Sequence, residues 1–409
     1  MKTRLLALAL LVPLVIGASR CSAGEAVSPE AQLDISAVTQ LLDVLDLLVR
    51  KNPGYKTTIS RLSQMPHDSA ESELQRLAQK NGDDPEIKSA IDGLLGSPTY
   101  KLYYRQFRNV TPEIHRKILC ALPYWGINSP ADIGGTLREL CLNLDSVRSW
   151  VTAVVSHIDL DKSQRVALEW LPPGDYPPPP IRFLYDGNGG AFANDGEVGF
   201  DLYGSILGSR APAARFANLA GLDVNQIELI IAHELQHIYA ARYLYPPGRT
   251  FATWQDKWID RLTRNIVSEG VAMQCNVGPG VRRSLMEDTV IVRYWISQFN
   301  GKVAAMRNNS ITESQIGAWY DSSLQDVPRR LLIEYWQRVT HDQDSVTFMQ
   351  RYIGDRPAMA YTLGWWMLGR ILERDSNREK VIALLSDPSA IFKAYNESIP
   401  ADTQLRVEF

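Results

Sequence analysis

Residues Asp223–Tyr245 constrain the fold more than any other stretch of the chain. The run reads as one long helix that is apolar nearly all round, with Leu229-Ile230-Ile231-Ala232 before its centre and Ile238-Tyr239-Ala240-Ala241 after it. A helix of that kind belongs inside a protein, wrapped by other elements on every side. Yet its centre is His233-Glu234-Leu235-Gln236-His237, two imidazoles and a carboxylate among greasy neighbours. Burying such groups without partners costs several kcal/mol. The fold must therefore supply something for them to bind.

The spacing says what. Two His four apart on a helix project from one face, about 5–6 Å apart at Cβ. That lets both rings converge on a tetrahedral zinc at about 2.0–2.1 Å each. Glu234, one residue further round, reaches a water on that ion without ligating it, so H-E-x-x-H encodes two ligands and a general base in a single turn. With only six His in 409 residues, a chance match is uncommon. The plainer alternative is a pair of satisfied core His with Glu234 turned to solvent.

A third ligand is expected, because catalytic zinc takes three protein groups and keeps a fourth position for water. Downstream, Asp256, Asp260 and Glu269 all fall on Thr253–Val277, which reads as one helix. At about 100° per residue, Trp258, Leu262, Ile266 and Met273 lie within roughly 60° of Glu269. Asp256 and Asp260 fall on the opposite, polar side. Glu269 thus stands in the middle of an apolar stripe, where a carboxylate needs a cation or a hydrogen-bond network. The competing reading pairs it with an Arg such as Arg264. The small flanking residues Gly270 and Ala272 are expected to let the two metal-bearing helices approach closely.

These residues carry a family resemblance. H-E-L-Q-H followed by Ser268-Glu269-Gly270-Val271-Ala272 resembles the gluzincin-type zinc metallopeptidases, which use two His and a Glu from a second helix. The gap of 32 residues from His237 to Glu269 is similar to that of bacterial zinc-dependent peptidases rather than to the thermolysin group, whose gap is shorter. The likeness spans roughly residues 181–370. It implies a zincin-like domain with Zn²⁺ on His233, His237 and Glu269, Glu234 as general base, and a peptide or protein substrate. It also implies an edge strand ahead of the metal helix, a place filled in the chain order by Gly190–Leu202, which otherwise reads as an ordinary surface hairpin. A late helix with a Tyr-x-x-Gly element matches Tyr361–Gly364, and Tyr361 becomes a candidate to donate a proton to a developing oxyanion. His341 is a second, weaker candidate.

Around this site the chain reads as mainly α, with a small β-region. Helices are expected over Leu33–Arg50, Asp68–Lys80, Pro85–Leu95, Pro112–Leu122, Pro130–Leu142 and Leu144–Ile158, then near Pro212–Leu219, and again from Thr253 onward. The Pro-dense run Leu171–Pro180 breaks helices and marks a boundary. Strands are expected at Ile181–Tyr185 and Val198–Leu202, either side of a turn at Asp186–Gly190. The apolar piece Met359–Ile371 is too short for a membrane span and reads as a core helix. The organisation is thus a targeting segment over 1–23, a helical region over 24–170 and the zincin-like domain over 171–409.

The termini and bulk numbers set the setting. Lys2 and Arg4 precede the apolar run Leu5–Ile16 and small residues follow, the pattern of a secretory signal peptide. Export to a periplasm or the exterior is the expectation. Lipid attachment at Cys21 is disfavoured by Arg20, and no transmembrane span is expected after signal removal. A net charge of −3 without a dense basic run argues against a nucleic-acid partner. In an oxidising compartment Cys120 and Cys141, at the ends of two adjacent expected helices, are candidates for a disulfide, with Cys275 left over or serving as a buried apolar residue. Two other functions fit the same residues: a zinc hydrolase of a non-peptide amide or ester, and a helical envelope protein stapled by a structural metal. A fourth protein ligand would mark the latter.

Overall fold

The computed structural model describes residues 33–62, 65, 67–107, 110–121, 140–185, 190–202, 224–276, 290–323, 331, 359–400 and 405–408. The expected signal segment with Cys21, the helices at Pro130–Leu142 and Pro212–Leu219, and His341 lie outside these residues, apart from Leu140–Leu142. The protein is mainly helical with one small sheet, the α+β class expected. No helix among the described residues is long and apolar enough to cross a membrane.

Chain contacts divide the molecule into two units. The first comprises Gly17–Glu169 and Gly174–Ile238. It opens on β1 (Leu33–Asp34) and α1 (Ser36–Lys51), whose Val38, Leu41, Leu42, Leu45 and Leu48 form a buried stripe at helical spacing. The expected helix at Leu33–Arg50 therefore begins three residues later, because Leu33 and Asp34 are held by a strand far along the chain. Helices α2 (Tyr55–Leu62), α3 (His67–Asp83), α4 (Pro85–Leu95), α5 (Pro98–Gln106), α6 (Pro112–Ala121), α7 (Leu144–His157) and α8 (Leu160–Leu168) follow. Local chemistry starts several of them. Asp84 accepts from the N–H groups of Glu86 and Ile87 with Pro85 at the first helical position, and Ser97 accepts from Tyr100 N–H ahead of Pro98. Asp159 does the same for Lys162. Such caps satisfy amide donors that no helix can satisfy internally.

The sheet runs β1-β2-β4-β3, with β2 at Ile181–Leu184, β3 at Gly190–Asn194 and β4 at Glu197–Asp201. Strand β2 lies parallel to both β1 and β4, while β3 and β4 form an antiparallel hairpin. The hairpin turn is Asp195-Gly196, with φ of 50° and 78°. Two positive φ values are what a two-residue hairpin turn requires, and Asp-Gly accepts them cheaply. Paired Phe183 and Phe200 are fully buried, their rings 5.5 Å apart. Opposite Gly199, the Phe192 ring fills the space a Cβ would take. Phe192 also meets the rings of Tyr103 and Phe107, and Tyr100 donates to the Tyr185 carbonyl at 3.0 Å, so α5 closes over the sheet. Arg182 ties the strands together through Asp34 Oδ2 at 2.6 Å and Glu197 Oε2 at 2.7 Å.

Helix α9 (Val224–Leu244) carries the H-E-L-Q-H sequence, and the division between units falls inside it. The second unit comprises Trp170–Pro173 and Tyr239–Phe409 among the described residues. It contains α10 (Trp254–Asn276), α11 (Val290–Arg307), α12 (Glu313–Ser323), α13 (Met359–Asp375), α14 (Arg378–Ala383) and α15 (Ala390–Glu397). Its centre is α13 laid against α10. Leu363, Trp366, Met367 and Leu368 on α13 are fully buried, as expected for a core helix. Trp366 Nε1 donates to Tyr395 Oη at 3.0 Å, and that hydroxyl donates to the Leu405 carbonyl at 3.0 Å.

The three described cysteines are buried free thiols. Cys120 lies near Gly82 of α3, whereas Cys141 sits close enough to Tyr55 to feel its hydroxyl, and burial pushes its thiol up to about 12. The bridge considered from sequence is not formed.

Candidate metal centre

Helix α9 is buried along most of its length, so its polar groups are held in the interior. Its first turn is pinned by Glu228, 4% exposed, which accepts from Lys162 Nζ at 2.6 Å and from the Asp159 amide at 2.9 Å. One and two turns further on stand His233, 4% exposed, and His237, half-buried. Their rings lie edge to face, centroids 4.7 Å apart, and the two Nε2 atoms face each other at 3.1 Å. Two donors at the zinc–imidazole distance of about 2.0–2.1 Å and a tetrahedral angle lie about 3.3 Å apart. The ring pair is thus already near the separation that a shared ion wants. Glu234, one residue round the helix, is buried.

The third group comes from α10. This helix is polar on one side only at its start, where Asp256 is exposed. From Leu262 to Cys275 every residue is buried, Glu269 at 1%. The rival pairing of Glu269 with Arg264 is not what forms. Arg264 Nε instead donates to Asp260 Oδ2 at 2.7 Å, and Arg249 holds the other oxygen at 2.6 Å. Gly270 is a second departure from expectation. Its small size serves the crossing with α13, where the Gly364 backbone fills the space beside it.

Ligand atoms of His233, His237 and Glu269 all lie within 4.8 Å of one another. Among the described residues no fourth His, Cys, Asp or Glu joins them. Two imidazoles and one carboxylate are a donor set zinc takes in catalytic sites, with a position left over. Closing the widest pair to tetrahedral spacing asks for about 1.5 Å of side-chain movement. The residues fit the metal.

The comparisons agree with that geometry. Residues 51–403 match the model of a family described as "Putative zinc dependent peptidase (DUF5700)". The chain belongs to this family. The match takes in both helices of the metal centre, strands β2 to β4 and most of the N-terminal helices, a wider span than residues 181–370. No curated protein and no solved structure shows significant similarity to the chain.

Of the other residues singled out from sequence, Tyr361 lies half-buried on α13, three residues before Gly364. His115 is engaged by the Tyr104 hydroxyl at 2.9 Å and stacks on Tyr103, and His157 is exposed on α7. Neither belongs to the metal group. Tyr245, just past the end of α9, was not anticipated. Burial pushes its phenol well above the ordinary range, and the charges of Tyr320, Glu269 and Asp260 push the same way against Arg261. It is part of the electrostatic surroundings of Glu269. No local pattern marks it, since the neighbours that matter lie on α10 and α12.

Proposed function

We propose that the chain is an exported zinc-dependent peptidase that hydrolyses peptide bonds, with His233, His237 and Glu269 as metal ligands and Glu234 as general base. The observation that carries this reading is the convergence of the three ligand atoms within 4.8 Å, with Glu234 next to the first of them in sequence. Zinc held there supplies Lewis acidity, which lowers the pKa of a water towards about 7 and polarises a carbonyl. Glu234 accepts a proton from the attacking water as its oxygen bonds to the scissile carbon. The carboxylic acid then returns that proton to the amine nitrogen as the C–N bond breaks. Its burial keeps bulk water from competing for that proton. Tyr361 is assigned as the hydroxyl that donates to the carbonyl oxygen as charge develops on it. Export is supported by the charged and apolar N-terminal pattern.

The test is Glu234→Gln. Hydrolysis of an unfolded protein such as casein should fall by at least about 10²-fold, since general base catalysis of this kind contributes roughly 10²–10⁴. Zinc content, read by atomic emission, should stay at the wild-type level. Undiminished hydrolysis removes the assigned base. Hydrolysis of esters or small amides but no peptide by the wild type moves the substrate class.

A further inference from the structure

We propose that the crossing of Gly270 and Gly364 is a positioning device for the Glu269 carboxylate, so that the gap between α10 and α13 sets how tightly the metal is held. The inference rests on the zinc reading above and adds to it a residue, Gly364, that touches neither metal nor substrate.

The two helices meet backbone to backbone. A Cβ on Gly364 would lie 2.2 Å from the Ile266 carbonyl oxygen and 2.7 Å from both Cα and N of Gly270. A Cβ on Gly270 would lie 2.6 Å from the Gly364 carbonyl carbon and 2.7 Å from its Cα and O. Real Cβ atoms essentially never come within 3.0 Å of such atoms. Every obstructing atom is main chain, so no side chain can swing aside. A single added methyl must part the helices by about 1 Å. Packed helices usually sit 8–10 Å apart, and closer approach is the work of glycine.

The strain from such a methyl falls on both helices, and on α10 it falls next to Glu269. Helix α13 is held on its other flank by buried Trp366, whose indole donates to Tyr395, and Arg370 lies 4.4 Å over the same ring. Glu269 is the peptide neighbour of Gly270, within a stretch of α10 that is buried throughout. A rigid helix displaced at Gly270 carries Glu269 with it. Metal sites tolerate about 0.2 Å in ligand distance and about 0.5 Å in side-chain placement. A backbone displacement of about 1 Å adds to the side-chain movement of up to about 1.5 Å that closing the site already asks for.

The experiment is zinc titration of the metal-free full chain against a chromophoric chelator, with circular dichroism and thermal melting of the same samples. Gly364→Ala and Gly270→Ala should each weaken zinc by 10-fold or more, the range seen when the support of a ligand is lost, in a chain that keeps its helical spectrum. Gly301→Ala on α11, where an added Cβ meets nothing within 4 Å, should leave zinc affinity within twofold. A lowered melting temperature of the metal-free chain with unchanged zinc affinity makes the crossing a packing contact only and overturns the proposal. So does failure of both alanine variants to fold with and without zinc. A wild-type chain that binds no zinc sinks the metal reading, and this inference with it.

Discussion

Gln236, in the middle of the metal-binding turn, offers a test of how buried polarity is accounted for in this core. Its side chain is fully buried, and neither Nε2 nor Oε1 meets a hydrogen-bond partner among the described residues. A primary amide taken out of water without partners costs about 1–3 kcal/mol by mutational scales. Methionine has nearly the same length and volume and asks for no partner. Gln236→Met is therefore expected to stabilise the chain by about 1–3 kcal/mol. At roughly 1.2 °C per kcal/mol for a chain of this size, the melting temperature rises by about 1–3.5 °C. The internal comparison is Gln274, on α10. It is also buried, at 4%, but donates to the Gly270 carbonyl at 3.1 Å. There the same change removes a made hydrogen bond, and Gln274→Met should destabilise by about 0.5–1.5 kcal/mol. Both variants are measured by urea and thermal unfolding of metal-free protein, so that zinc binding does not enter. Opposite signs support the accounting. A loss at Gln236 comparable to that at Gln274 would show that its amide is bonded and refute the argument.

Two further outcomes follow from the electrostatics and the thiols. Burial alone would raise the Asp34 carboxyl, but hydrogen bonds from Ser36 and the Arg182 guanidinium hold it below the usual value. A depressed carboxylate stabilises the fold above its unfolded pKa of about 3.9 and loses that contribution as pH falls through its lower folded value. Asp34→Asn should thus cost about 1 kcal/mol near neutrality, a gap that narrows as the pH falls below the unfolded value of about 3.9 in urea melts taken across pH. Cys120, Cys141 and Cys275 are buried free thiols. Iodoacetamide should leave all three unlabelled in the native chain and label all three after unfolding without reductant, by peptide mass spectrometry. Cys120 or Cys141 staying blocked in the unfolded chain would reveal a bridge.

The metal centre was legible because its signals are local. Four-residue spacing places His233 and His237 without reference to the rest of the chain, and the apolar stripe around Glu269 picks it out from Asp256 and Asp260. The capped helices read equally well where Pro85 or Pro112 opens them. What escaped depends on contacts between distant segments. Leu33 and Asp34 look like the opening of a helix and become a strand only because Ile181 and Arg182 pair with them. The Asp195-Gly196 turn did carry a hairpin signal. It agrees with the reading of Gly190–Leu202 as a hairpin, which β3 and β4 form. Gly270 was correctly seen as a point of close approach, but which helix approaches is set by Gly364, almost a hundred residues on. Arg264 is the opposite case, since its partner Asp260 is one turn away on its own helix.

The short strand β1 carries a consequence for how the molecule is assembled. Arg182 and Asp34, which join it to its neighbour, are 148 positions apart. At about 5–20 residues per second of synthesis, the head of the chain waits roughly 7–30 s before that neighbour exists. During the wait its backbone amides have no ladder to join, and long-range pairing of this kind is slow to close even once it can. Strand β1 therefore joins the sheet only after β2 has been made, and a fragment that ends before Ile181 should hold helices while Leu33 and Asp34 are still without their ladder.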